Sequence, residues 1–419
     1  MDFIHVSDVL AGKLIGKEVS LRGWIYRKRE QKDIIFLVLR DSTDIIQLAC
    51  KGIEEASKVT IESSVEVSGI VKEDKRAPGG FEIQVKELKI IGLAETFPIS
   101  KDLSDEFTRD IRHLWIRSQK LTKILRVRSE VIRAIHDFYR ERGFYEVQAP
   151  IFTGCACEGG SALFEVKYFG DKAFLSQSWQ LYAEAMIQSL EKIYTIAPSF
   201  RAEKSRTKRH LTEYWHHEME AAWMSHEELM DIEEDLILYV VDHVLRQCEK
   251  DLKDLGRDVS KLRELKKPFI RITYKEAVEK IGKKWGDEIT DKEEKELLAK
   301  LGEKPVFLTS FPRDMKAFYM RPDPKDPKVV LASDLLVPGV GEIIGGSERI
   351  YDIKELLESI KLYKLDKKDY EWYIDLRKYG TVPHSGYGLG IERLIMFITG
   401  AEHIMDTIPF PRTMNRVYP

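Results

Sequence analysis

The chain has 419 residues, 43% hydrophobic and 33% charged, with a formal net charge of −3. That length makes two or three domains with real cores. Near-neutrality excludes a uniformly basic nucleic-acid binder, so any polyanion must be met by local patches.

The N-terminus, MDFIHVSDVLAGKL, carries an early Asp2 and no long apolar core, which is unlike a secretory signal. No window approaches the about 18 apolar residues of a membrane span. A cytoplasmic protein with reduced thiols is expected. Its four cysteines, Cys50, Cys155, Cys157 and Cys248, make no disulfide framework. Cys155-x-Cys157 alone lacks the further ligands of a zinc site.

Residues 18–92 read as five short strands with a helical piece, GIEEASKV, between the third and fourth. That is the order of an OB barrel, whose second and third strands commonly take single-stranded nucleic acid. Arg27 and Arg29 lie in the basic run Tyr26–Glu30, just before Phe36 on the second strand and Gln47 on the third. Phe36 serves either the core or a base-stacking face. Residues 98–120 read as a linker. A helix is expected from Leu121 to Gly143, then a strand, FYEVQAPIF, interrupted by Pro150, which favours an edge or an interface. A hairpin follows, then a helix near Ser178. Residues 225–300 are expected to form a mostly helical, peripheral layer. FPRDMKAFYM and KVVLASDLLVPGVGEIIGGSERI read as strands, and HSGYGLGIERLIMFITG as a strand entering a helix. Because strands and helices do not alternate strictly, an antiparallel sheet flanked by helices is expected, an α+β fold.

The densest chemistry lies in Phe200–Trp223, FRAEKSRTKRHLTEYWHHEMEAAW. Period-two reading puts His216, Glu218 and Glu220 on one strand face and Trp215, His217 and Met219 on the other. Arg201 and Glu203 share a face upstream, and the basic run Glu203–His210 forms a cationic hairpin tip. Such a tip is either a solvated surface or a phosphate clamp. Asp334 and Glu342 lie around a Pro-Gly turn and suit a hydrated Mg²⁺; Arg349 follows on the same stretch. Gly386-x-Gly388-x-Gly390 departs from the dinucleotide and P-loop patterns, yet permits close approach of a flat ligand beside Arg393 at a helix start. Three arginines, a carboxylate pair, a glycine floor and a barrel point to nucleotide-dependent activation of a small carboxylate, coupled to nucleic acid.

These segments resemble the class II aminoacyl-tRNA synthetases, aspartyl/asparaginyl subgroup, over essentially the whole chain. GFYEVQAPIF looks like motif 1, FRAEKSRTKRHLTEYWHHEME like motif 2 and GYGLGIERL like motif 3; the class I signatures are absent. The resemblance implies an OB-fold anticodon-binding domain over residues 1–97, a hinge over 98–120 and a catalytic domain over 121–419. It implies that Arg201 holds the α-phosphate of ATP and the amino-acid carboxylate, and that Arg393 grips the γ-phosphate. Glu203 would meet the adenine end, with Arg209, His210, Leu211 and Gly390 around the nucleotide. Glu342 and Asp334 would hold Mg²⁺. Glu158, Ser176, Gln177, Gln180, Glu218 and Arg349 would cradle the amino acid. Arg27, Arg29, Phe36 and Gln47 would read anticodon bases, and Pro150 would help build a homodimer interface.

Aspartyl relatives typically carry Q-L-Y-K where this chain has Gln180-Leu181-Tyr182-Ala183. A substrate carboxylate would lose its ammonium partner there. Glu218 replaces the family's Asp, and Gly345 stands where aspartyl relatives often place a metal-linked Ser. The asparaginyl branch is therefore implied, most like the archaeal type, with L-asparagine and tRNA(Asn) as substrates. The rivals are a non-discriminating aspartyl enzyme and a tRNA-independent asparagine synthetase, the latter disfavoured by the barrel.

Overall fold

The structure is a computed structural model describing residues 2–99, 103–157, 162–204 and 207–419. The chain divides into two compact units, Met1–Ile111 and Arg112–Pro419.

The first unit is a closed barrel of five strands, β1 (Glu18–Gln31), β2 (Ile34–Arg40), β3 (Ile45–Cys50), β4 (Ser64–Glu73) and β5 (Phe81–Gly92). They close in the order β1-β2-β3-β5-β4. Alternation drives the closure. Leu21, Ile25, Leu37, Leu39, Ile46, Leu48 and Ile83 point inward and are fully or almost fully buried. The opposite register carries the polar set. Arg29 pairs with Phe36 and Phe36 with Ala49, while Arg27 pairs with Val38 and Val38 with Gln47. The four residues expected to read bases thus share one barrel face in two adjacent rows. Phe36 is half-buried and outside the core, and the Arg29 guanidinium lies 5.0 Å from its ring centroid. Gln47 donates to Glu82 at 2.9 Å.

The second unit holds the short strands β6 (Tyr145–Glu146), β7 (Phe152–Thr153), β8 (Glu165–Tyr168) and β9 (Asp171–Leu175). After them come β10 (Lys192–Phe200), β11 (Glu213–Ala222), β12 (Ile270–Thr273), β13 (Val306–Thr309), β14 (Pro322–Asp323) and β15 (Asp326–Val330). The last three are β16 (Ala332–Val337), β17 (Gly341–Glu348) and β18 (His384–Gly390). Eight strands form one sheet in the order β12-β13-β16-β17-β18-β11-β10-β6. Every adjacent pair is antiparallel except the two outermost, β12 with β13 and β6 with β10. The antiparallel α+β expectation holds. The helices Gln119–Glu141 and His226–Asp254 bury Val131, Ile135, Phe138, Leu236 and Val240 in the same core as Met219, Ile344 and Leu389 of the sheet. The second helix starts in a capping box between Ser225 and Glu228. The other face of the sheet is left for polar groups. Among the described residues no helix is long and apolar enough to cross a membrane.

Three expectations need correction. FPRDMKAFYM is not a continuous strand: isolated bridges at Pro312 and Met320 flank a 3₁₀ turn, Arg313–Met315, which Pro312 with its fixed φ opens. Residues 225–300 are not merely peripheral, since they supply β12, the outermost strand of the main sheet. The helix expected from Leu121 starts at Gln119, with Ser118 Oγ accepting from the Leu121 N–H at 3.3 Å.

Behind the sheet His217 is fully buried, its Nδ1 3.0 Å from the Thr195 carbonyl oxygen and its Nε2 3.1 Å from the Tyr387 hydroxyl. Burial pushes its pKa down to about 3, and that of His226 to about 4. The unfolded chain takes up these protons near 6.5, so it binds more protons than the native state below that pH. Stability therefore falls as pH drops through 6.5, and the loss is complete near 3. Urea melts from neutral pH down to mild acid check this. His217→Gln should flatten the slope, and an unchanged slope would contradict the assignment.

Candidate active site

The uncovered face of the sheet floors a cleft of about 620 Å³. The hairpin of β10 and β11 puts His216, Glu218 and Glu220 on that face, as their even spacing requires. Arg201, Glu203, Arg209, His210 and Leu211 line it from the connection between the two strands. Arg201 and Glu203 follow β10 in irregular backbone rather than continuing its alternation. Gly388 and Gly390 of β18 pave the middle. At Gly388 a Cβ would sit 2.3 Å from His216 Nε2, so only glycine lets that ring lie flat on the floor. Arg393 enters from the first turn of the helix Ile391–Thr399.

At one end of the cleft, cations face carboxylates. Arg393 Nη1 donates to the Glu342 carbonyl at 2.9 Å and to Glu342 Oε2 at 3.2 Å. Burial would raise the Glu342 carboxyl, but Arg393, Lys316, Arg209 and Arg201 together hold it below its ordinary range. Asp334 takes Lys316 Nζ on both oxygens, at 2.8 and 2.6 Å. Burial and the neighbouring Glu342 push its pKa up to about 6 against the pull of Lys316. A Cβ on Gly345 would stand 3.3 Å from Glu342 Oε1 and 3.5 Å from Asp334 Oδ1. Both carboxylates therefore converge over a bare glycine, an oxygen donor set suited to a hard divalent cation. Arg209 is paired with Glu294 and Asp291 of the helix Asp291–Lys300. Arg201 N donates to the Thr212 carbonyl at 2.9 Å, and its guanidinium carbon lies 5.6 Å from the Tyr214 ring centroid.

The other end is a buried, charge-balanced network. Arg349 donates to both oxygens of Glu220, from Nε and Nη2 at 3.0 Å each, and from Nη1 to Ser347 Oγ at 2.7 Å. Glu184 accepts from Gln180 Nε2 at 3.0 Å, lies 2.9 Å from His384 Nε2, and takes Tyr373 OH at 2.7 Å and the Arg377 guanidinium. Burial opposes its ionisation, but Arg377, His384 and Arg349 hold it well below the usual carboxylate range. Ligand atoms of Glu184, Glu220 and His384 lie within 4.8 Å of one another. Arg349 and Arg377 already supply the positive charge, so this trio needs no metal. Glu218 accepts from the Trp179 N–H at 3.0 Å and from the Ser178 hydroxyl, which fixes its carboxylate at the cleft wall.

Of the residues expected to meet the amino acid, Gln180, Arg201, Glu218 and Arg349 line the cleft. Ser176 and Gln177 do not. Both are buried, Ser176 donating to the Ser178 carbonyl at 2.9 Å. Glu158 lies outside the described residues. Pro150 is exposed beside Ile151 and Phe152, near β6 at the end of the sheet.

Residues 104–414 match the family of class II tRNA synthetases (D, K and N), and residues 19–91 match the OB-fold nucleic-acid binding domain family. The chain belongs to the class II tRNA synthetases. It is 47% identical to an asparagine–tRNA ligase of Thermoplasma acidophilum over 99% of this chain and 100% of that protein. It is 46% identical to the asparagine–tRNA ligase of Thermococcus gammatolerans over the full length of both. The crystal structure of Pyrococcus horikoshii asparaginyl-tRNA synthetase complexed with asparaginyl-adenylate superposes with a TM-score of 0.96 at 44% identity, covering both chains completely.

Within this class II site, sequence reasoning missed Lys316, Glu294 and the Glu184 hub. Lys316 sits in the stretch misread as a strand. Glu294 belongs to the layer misread as peripheral. Glu220 shared the face of Glu218, a signal sufficient to find it, and its partner Arg349 is 129 positions away.

Proposed function

We propose that the chain is an asparagine–tRNA ligase. It activates L-asparagine with ATP to asparaginyl-adenylate and transfers the asparaginyl group to tRNA(Asn). The observation that carries this reading is the balanced charge of the amino-acid end. Arg349 is already paired with Glu220, and Arg377 with Glu184. A carboxamide can enter without stranding a charge, whereas a carboxylate would remain an uncompensated buried anion. The full-length likeness to asparagine–tRNA ligases supports the same conclusion.

In the proposed mechanism the asparagine α-carboxylate oxygen attacks the α-phosphorus of ATP in line, forming the acyl-phosphate bond and releasing pyrophosphate. A hydroxyl of the terminal tRNA ribose then attacks the acyl carbon and expels AMP. No protein nucleophile is needed. Arg201 bridges the α-phosphate and the substrate carboxylate, Arg393 takes the γ-phosphate, and Glu203, His210, Leu211 and Gly390 frame the nucleotide. Glu342 and Asp334 would hold Mg²⁺, which neutralises polyphosphate charge when bound. Asp334 must exchange Lys316 for the metal to do so. The face with Arg27, Arg29, Phe36 and Gln47 stacks and hydrogen-bonds anticodon bases. The edge near Pro150 forms the homodimer contact.

Given ATP, Mg²⁺ and bulk tRNA, the protein should make base-labile asparaginyl-tRNA; charging with aspartate instead would refute the proposal. Ala183 tests the pocket more finely. It is buried with Trp179, Ile187 and Ile193 one turn behind Gln180. Ala183→Lys puts an ammonium into this buried apolar wall beside Gln180, so asparagine activation should weaken. Unchanged asparagine kinetics in pyrophosphate exchange would count against this account.

A further inference from the structure

The helix Asp291–Lys300 carries a carboxylate that the scheme above does not use. Glu294 is nearly buried, with 9% of its side chain exposed, and reaches the nucleotide end of the cleft. Its Oε1 accepts from Arg209 Nη2 at 3.2 Å and its Oε2 from Arg209 Nη1. Oε2 also lies 3.3 Å from the Glu342 backbone N–H. The same guanidinium donates to the Val340 carbonyl at 3.1 Å and pairs with Asp291. Between Val340 and Glu342 stands Gly341, at φ +89°, where a Cβ would fall 2.0 Å from Glu294 Oε2 and 2.3 Å from Arg209 Nη1. The backbone has thus been cleared, in conformation and in volume, to let this ion pair press against the start of β17.

We propose that Glu294 is a positioning residue for the nucleotide, holding the Arg209 guanidinium and the Glu342 backbone in one frame. This deepens the reading of the cleft as an ATP site and rests on it. Arg209 sits on the connection between β10 and β11, and Glu342 on β17. Without a shared anchor these two elements would each have to be ordered when the polyphosphate arrives. A carboxylate that binds both settles their separation in advance, so binding energy is not consumed in ordering them. The role is one of placement, since Glu294 itself need not touch the substrate.

Glu294→Gln keeps the shape and removes the charge that orders Arg209. It should raise the KM for ATP about tenfold, within the range that small misplacements cost. The KM for asparagine should stay as in the parent, and the melting temperature should fall only modestly because Arg209 keeps Asp291. Gly341→Ala, which leaves Glu294 intact but displaces the pair, should shift ATP in the same direction. Equilibrium dialysis of a non-hydrolysable ATP analogue supplies a reading independent of turnover. An ATP affinity unchanged or improved in Glu294→Gln would overturn the proposal. So would equal losses for ATP and asparagine, which mark general loosening. If Glu294→Gln does not fold, the analogue affinity of Gly341→Ala decides. Should the wild-type protein support no asparagine-dependent exchange, the reading of the cleft fails before any variant is made.

Discussion

Arg201→Ala is expected to lower kcat/KM for asparagine-dependent pyrophosphate exchange by about 1000-fold, or ~4 kcal/mol of transition-state stabilisation. The side chain lines the cleft and its charge helps keep Glu342 ionised. The backbone N–H bond to Thr212 survives truncation. In the proposed reaction negative charge gathers on the α-phosphoryl group while the incoming carboxylate closes on it, and Arg201 would meet both. Arg201→Lys should recover little, since an ammonium cannot present two parallel donors to two oxygens at once. Initial-rate kinetics beside a thermal melt separate the outcomes. A rate near wild type in a folded Arg201→Ala would remove Arg201 from the mechanism.

The second large effect concerns the buried charge network. Arg377→Met strands Glu184, whose side chain is wholly inaccessible, and removes the donors to the Ile350 carbonyl at 2.9 and 2.7 Å. Breaking one half of such a pair costs about 3–5 kcal/mol, because an ionised carboxylate loses its largest compensating charge. Glu184 also anchors Gln180 at the amino-acid end, so the loss should reach the asparagine KM as well as stability. The double variant Glu184→Gln/Arg377→Met leaves no stranded charge and should regain part of the stability in urea melts. Equal instability of single and double variants would show that the stranded charge is not the cause.

Much of the site was legible because its carriers have short periods. The alternation through Tyr214–Ala222 placed Glu218 beside His216, and the glycines of β18 marked a floor that side chains would block, as at Gly388. The barrel was equally plain, its strands being bounded by turn residues and split into apolar and polar rows. What stayed hidden was pairing at long range. Arg209 meets Glu294 across 85 positions, and Glu184 meets Arg377 across 193 and His384 across 200. Local periodicity carries no information on which helical carboxylate returns to a distant strand. At Pro312 a 3₁₀ turn interrupts a pattern that otherwise read as a strand.

One experiment bears on the centre of this account: pyrophosphate exchange with purified protein, run in parallel with L-asparagine and L-aspartate at equal concentrations. The charge-balanced pocket around Arg349 and Glu220 predicts robust exchange with the amide and little with the acid. Exchange driven as well or better by aspartate would contradict it.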